Sequence, residues 1–393
     1  MYDILIKGGT VIDPAQGLHE IRDIAIENGK IAQIPLSTKN PTAHEVVDAK
    51  GLIVVPGLID LHVHAFWGGS TYGIEPDAGN ISKGVTTVVD AGSAGASTFP
   101  AFRSHIIDRS KTSIYALLNI ATSGMVFHDD SELHDLNRAD VLHTVKTGLQ
   151  NQDRVVGIKA RLGRVQAANN DREALKRAIE AAELLNGFVM IHVGNSSTPL
   201  PILMDMLRPG DAVTHSFHGF GDGILDESGE IIKAMKEAQT RGIIIDVGHG
   251  SGGFSFRSAE KALDSGIFPG TISSDLHIHN IEGPVFDLAT TMSKFMNLGM
   301  SIYEVIERST IAPAKTMGKE AKIGSLKPGF DGDVTLMRIE EGKFEFHDRL
   351  SKATKLGSSR WEPGKSIYGS QRLAHVNTIK AGKLYRPWKT LIR

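Results

Sequence analysis

The 393 residues contain no cysteine. Disulfides are excluded, and so is any metal site built on thiolates. A cation would have to be held by imidazole nitrogens and carboxylate oxygens. The absence fits a reducing compartment, and the chain is expected to be cytoplasmic. Its N-terminus, Met1-Tyr2-Asp3-Ile4-Leu5-Ile6-Lys7, lacks a basic start and the apolar core of about 7–15 residues that marks a secretory signal. No apolar run reaches the roughly 18 residues needed to span a bilayer. Charge of one sign is missing too: 43 Lys+Arg against 45 Asp+Glu give a net −2. No basic cluster stands out, so nucleic acid and membrane surfaces are not expected partners. What is present is an ordinary globular composition, 41% hydrophobic and 22% charged. The length suits one large domain plus a smaller one, or two to three domains.

One stretch carries chemistry on its own. The apolar run from Gly51 to Leu61 ends in His62-Val63-His64. Side chains two apart on a strand point the same way, so both imidazoles share a face. Such a pair can hold one divalent cation, with nitrogens about 2.0–2.1 Å from a zinc. A bare His-x-His is as readily two unrelated histidines; the strand before it and the ligand types further on favour the metal.

Residues 1–55 read as short strands and turns. Tyr2 to Ile6 and Thr10 to Ile12 flank a turn at Lys7-Gly8-Gly9-Thr10. Glu27-Asn28-Gly29-Lys30 is a hairpin turn between Ile21–Ile26 and Ile31–Ile34. From Pro56 the pattern changes. Eight short apolar runs alternate with helix-like stretches: Leu58–His64, Thr86–Ala91, Ser113–Ile120, Arg154–Arg161, Phe188–Val193, Ala212–Phe217, Gly242–Val247 and Thr271–His277. The helix after the fourth is the clearest, with Leu175, Ala178, Ala182 and Leu185 on one face and Gly187 ending it. This is an α/β pattern, and eight βα units over 56–320 suit a (β/α)8 TIM barrel. A doubly wound open sheet is the alternative, but no Gly-x-Gly-x-x-Gly turn follows the first strand. Strand-and-turn character returns after Gly324, with Val376–Ile379 and Lys383–Tyr385 around Lys380-Ala381-Gly382. Residues 321–393 are therefore expected to join 1–55 as a small discontinuous β-sandwich domain.

Barrel chemistry sits at the C-terminal ends of the strands. His62 and His64 end run one. Lys159, His192, His215 and Asp275 fall near the ends of runs four, five, six and eight. Six nitrogen or oxygen candidates thus share one end of the expected barrel.

These residues, with Asp3-Ile4-Leu5-Ile6-Lys7-Gly8-Gly9, Val55-Pro56-Gly57-Leu58-Ile59-Asp60-Leu61-His62-Val63-His64 and Ile323-Gly324-Ser325-Leu326-Lys327-Pro328-Gly329, give a chain that resembles the amidohydrolase superfamily along nearly its whole length. The resemblance is to the branch of dihydroorotases, hydantoinases and deacetylases, and most of all to the amidohydrolase/deacetylase subgroup. It implies a binuclear centre of two divalent metal ions, usually Zn2+. His62, His64 and Asp275 would bind the buried metal, and His192 and His215 the exposed one. Lys159 would be carboxylated and bridge the two. A free ammonium has no lone pair, whereas a carbamate is anionic and has two oxygens. The expected reaction is attack of a metal-bridging hydroxide on an acyl carbon, with Asp275 taking its proton and passing it to the leaving group. Relatives of this kind are often homo-oligomers.

Substrate contacts are sought near the same ends. Arg161, two residues after Lys159, is placed to grip a substrate carboxylate. His218 follows His215 and either meets substrate or supports that histidine. Gly248-His249-Gly250 opens a glycine-rich loop after run seven that suits an anion or acts as a lid. His277 shares the direction of Asp275. Asn195 and Ser196 are weaker candidates. Trp67 either walls the pocket or packs the core, and Asp60 is expected to turn inward beneath the metals. The reading is a metal-dependent hydrolase removing a small acyl group, deacetylase-type, from an amide or ester of a small acidic molecule. A cyclic amide, as in dihydroorotases and hydantoinases, is the alternative. A non-enzymatic scaffold is disfavoured because all six ligand positions are filled.

Overall fold

Two sheets share out the strands of this α/β chain. The computed structural model describes residues 1–35, 41–127, 130–219, 223–349 and 364–387. The first five strands are β1 (Tyr2–Asp13), β2 (Leu18–Glu27), β3 (Lys30–Ala32), β4 (Ala43–Asp48) and β5 (Ile53–Pro56). Then come β6 (Leu58–Val63), β7 (Val85–Gly95), β8 (Ser113–Asn119), β9 (Val155–Arg161), β10 (Phe188–His192), β11 (Ala212–Thr214) and β12 (Ile244–Ile245). The last are β13 (Val334–His347), β14 (Ser366–Lys380) and β15 (Lys383–Tyr385).

The terminal sheet runs β15-β14-β13-β5-β1-β2-β3, with β4 also paired to β1. The two ends of the chain meet where β13 pairs antiparallel with β5, Val334 opposite Pro56. Asn28 and Gly29 take φ of 51° and 70°, the mirror-image turn that Asn-Gly favours between twisted strands. The turn expected at Lys7–Thr10 is not there. β1 runs straight through, and its register with β2 slips between Ile6 and Gly9. Gly8, at φ 71°, absorbs the extra residue as a bulge, which bends a strand without ending it. Ile4, Ile6, Val11, Ile26, Val54, Leu336 and Ile379 make one apolar cluster on this sheet. Each such side chain contributes about 1.5–3 kcal/mol when fully buried.

The second sheet, β6 to β12 in order, is parallel throughout. Seven of the eight expected runs are its strands. The eighth, 271–277, makes isolated parallel bridges instead: Thr271 to Asp246 and Leu276 to Val63. One segment therefore touches both edges of the sheet. Along β6 the faces alternate. Ile59 and Leu61 pack with Leu117, Met190 and Ile311, while Asp60, His62 and His64 turn the other way. The helix Asp171–Leu184 buries Ala174, Leu175, Ala178, Ala181 and Ala182, as its spacing predicts. No helix among the described residues is long and apolar enough to cross a membrane.

Candidate metal centre

The parallel sheet brings the dispersed candidates to one place. His62 Nε2 and His64 Nε2 lie 3.3 and 3.2 Å from the same oxygen, Asp275 Oδ1. His62, His215 and Asp275 each offer a ligand atom within 4.8 Å of the others. His192 packs against His215 with ring centroids 4.5 Å apart. The backbone fixes this meeting: Asp275 N donates to His62 O and His64 N to Leu276 O. His215 and Asp275 both have left-handed backbone, φ 60° and 49°. A non-glycine residue there stores about 1–3 kcal/mol of strain, and such residues gather at functional sites.

The ring tautomers follow from the partners. His215 Nδ1 lies 2.6 Å from the Gly248 carbonyl, which only accepts, so Nδ1 carries the hydrogen. The Thr214 hydroxyl donates to Asp246 Oδ2 and so accepts from His62 Nδ1, 2.8 Å away. Ser93 sits 2.8 Å from His64 Nδ1 and donates to Asp90. Each ring therefore turns a lone pair at Nε2 toward the centre. Burial keeps the rings neutral. It lowers the His64 pKa to about 3 and that of His215 to about 4, and holds His62 and His192 well below the usual range. Lone pairs thus face an Asp275 oxygen that is buried and has no hydrogen-bond partner among the described residues. Lys159 Nζ is likewise buried and unpartnered. Burial pulls its pKa down to about 7, so a neutral amine is populated near physiological pH. Nitrogen lone pairs, an anionic oxygen and a reactive amine are the donor set a divalent cation accepts.

Other candidates fare differently. Asp60 does turn inward; it accepts from the His62 and Ser274 amides and from the Ser274 hydroxyl, and burial raises its pKa to about 7. His277 faces the group, its ring 6.2 Å from that of His64, with Nδ1 accepting the His279 amide. His218 is buried and its amide bonds to His215 O. Asn195 is exposed, with φ 56°, and Ser196 follows it at the rim. Trp67 is 58% exposed and packs no core. Arg161 is not waiting for an anion: its Nη1 is 3.0 Å from both Asp130 and Glu132, two carboxylates that already balance it. His249 does not meet the centre either. It is fully buried behind it, with Nδ1 at Gly250 O and Nε2 at Lys294 Nζ. The amides of Gly248, His249 and Gly250 are spent on Ser273 and Ser274, so this stretch offers no anion cradle. Gly250 is needed for closeness instead, since a Cβ there would lie 2.4 Å from Asp275 Oδ2.

The supporting residues escaped the sequence reading. Asp246 accepts from Thr214, Thr271 and Ser273 and so carries the bond chain to His62. Asp90 does the same through Ser93 for His64. The available signal was a lone carboxylate late in an apolar run, Val88-Val89-Asp90 and Ile244-Ile245-Asp246.

The C-terminal edge of the parallel sheet thus gathers buried imidazoles and a carboxylate suited to a divalent cation, and comparison with known proteins places the chain among hydrolases. Two models of the amidohydrolase family match residues 45–183 and 255–362. A deacetylase of Brucella anthropi is 35% identical over 362 residues, 92% of this chain and 90% of the relative. A crystal structure of an adenine deaminase superposes with TM-score 0.88 at 32% identity, covering 98% of this chain and all of the other. A crystal structure of a dihydroorotase gives TM-score 0.86 at 31% identity, covering 98% and 99%. The chain belongs to the amidohydrolase family, whose members generally use divalent metals.

Proposed function

We propose that this protein is a binuclear metal-dependent hydrolase that cleaves a small acyl group, deacetylase-type, from an amide or ester of a small molecule. One observation carries the reading: neutral imidazoles aim their Nε2 lone pairs at an Asp275 oxygen 3.2–3.3 Å away, an arrangement that a cation among them would stabilise. His62, His64 and Asp275 would hold one ion, His192 and His215 the other. Lys159, as the carbamate formed from its neutral amine and CO2, would join them. Such ions, most simply Zn2+, supply a hydroxide at neutral pH and polarise a carbonyl.

The chain's own groups do the rest. The Asp275 carboxylate receives the proton of the attacking water and returns it to the leaving group. Asp246 through Thr214, and Asp90 through Ser93, hold the His62 and His64 rings in the tautomer that leaves Nε2 open. His277 carries its ring hydrogen on Nε2, 3.5 Å from the Ser251 hydroxyl, because Nδ1 accepts the His279 amide. That N–H suits a substrate oxygen. We also read the doubly bridged segment 271–276 as the eighth strand of a closed (β/α)8 barrel over 56–320, with 1–55 and 321–393 as one β-sandwich domain.

The relative named deacetylase favours a linear acyl bond. The structure named dihydroorotase supports a second reading, hydrolysis of a cyclic amide. The balanced charge at Arg161 weakens the case for an acidic substrate. The test is a metal count on purified protein, then turnover of N-acetyl and O-acetyl compounds with and without a carboxylate, beside dihydroorotate and hydantoins. Metal-free protein that hydrolyses any of them at full rate in excess chelator would refute the proposal.

A further inference from the structure

Beyond the metal ligands, one buried lysine has no part in the chemistry above. Lys294, in the helix Leu288–Asn297, is fully buried. Its Nζ lies 2.7 Å from His249 Nε2, 2.9 Å from Pro284 O and 2.8 Å from His347 O. Two of these are carbonyls. The third is also an acceptor, since His249 Nδ1 faces Gly250 O at 2.9 Å and must carry the ring hydrogen. The three acceptors match the three N–H groups of the charged form, which burial disfavours by lowering the pKa to about 7.

His249 is the one side chain in Gly248-His249-Gly250 that points away from the metal ligands. Its ring stacks on Phe254, with centroids 4.7 Å apart. The glycines on either side press the other way. Gly248 gives the carbonyl that fixes the His215 tautomer. Gly250 lies against the Asp275 carboxylate, and a Cβ on Gly253 would meet His215 Nδ1 at 2.4 Å. The loop is held by its back so that its front touches two ligands.

We propose that Lys294, acting through His249, is a positioning residue that seats the 248–253 loop and thereby sets the orientation of His215 and Asp275 toward the metal. The inference rests on the metal reading above. It predicts a loss at the metal from substitutions whose side chains never approach it.

The test is titration of chelator-stripped full-length protein with Co2+, read by the visible absorption bands of the bound ion, with the melting temperature of each variant as a control. Lys294→Met is expected to weaken Co2+ binding about tenfold or more, the range seen when groups that orient ligands are lost, and to change the band shape. Should that variant not fold, His249→Phe keeps the stacking on Phe254, leaves Lys294 its two carbonyls and removes only the link. It is expected to show the same change, and His249→Gln, which restores an acceptor, to recover part of it. In the double variant Lys294→Met/His249→Phe, losses no larger than those of one alone would mark the two as one unit. Affinity and band shape within about twofold of wild type in folded His249→Phe would overturn the inference while leaving the metal reading intact. Failure of the wild-type protein to bind Co2+ would overturn both.

Discussion

The two sheets differ in what they bury. On the terminal sheet the inward side chains of β1, β5, β13 and β14 are mostly aliphatic, and the charged groups buried there have fixed partners, Asp13 with Ser325 and Leu326 and Lys380 with Asp333. On the parallel sheet the same strand geometry carries Asp60, His62, His64, Asp90, Lys159 and Asp246 into the interior, each at most 5% exposed. Those groups oppose folding unless something pairs them. The contrast separates two duties: one sheet contributes stability, and the other sets charged and polar groups for chemistry.

Substitutions should therefore fall into two kinds. The largest effect is expected on the parallel sheet. Asp275→Asn should lower kcat about 10²–10⁴-fold with the melting temperature preserved, since it removes a proton acceptor and no core contact. Steady-state rates beside thermal melts would check it. In the terminal sheet, Ile26→Ala should do the reverse, costing about 2–5 kcal/mol in urea unfolding while the rate per folded molecule stays unchanged. Equal loss of both quantities in either variant would erase the distinction. A smaller effect is expected from Thr214→Val, which keeps the shape but takes away the hydroxyl between His62 and Asp246. Metal affinity should fall about 10–100-fold in competition with a chelator.

The smallest effect is a pH dependence that belongs to the terminal sheet. His375 on β14 is largely buried beside Thr378, and burial lowers its pKa to about 4. The unfolded chain takes up that proton near pH 6.5, the folded one only near 4. Its contribution is thus complete above about pH 6.5 and is lost as pH falls toward 4, by about 1–2 kcal/mol given its partial exposure. His375→Gln should flatten unfolding free energy across that window. A slope unchanged by the substitution would place the acid sensitivity elsewhere.

Much of this was legible in the sequence, because strands and their ends write themselves as periodic patterns. Seven apolar runs are strands of one parallel sheet, and His62, His64, His215 and Asp275 meet at one place with His192 packed on His215. What was illegible depends on contacts between distant segments. The Lys7–Thr10 turn became a bulge because β2 holds pairing on both sides of Gly8. Arg161 looked free because Asp130 and Glu132 lie on another loop. His249 was expected in an anion-binding or lid loop, yet the left-handed backbone at Gly248 and Gly250 turns it into the core toward Lys294. The backbone strain at His215 and Asp275 left no mark, since His and Asp, though enriched at positive φ, take it at only a small fraction of their positions.

The pairing of Val334 with Pro56 has a consequence for how the molecule is made. Almost the whole parallel sheet must be synthesised between those partners. At roughly 5–20 residues per second, the first strands wait tens of seconds before β13 leaves the ribosome. Until then β5 and the aliphatic faces of β1 and β2 stand uncovered, so a nascent chain halted before β13 should be bound by chaperones, and one released after it should not.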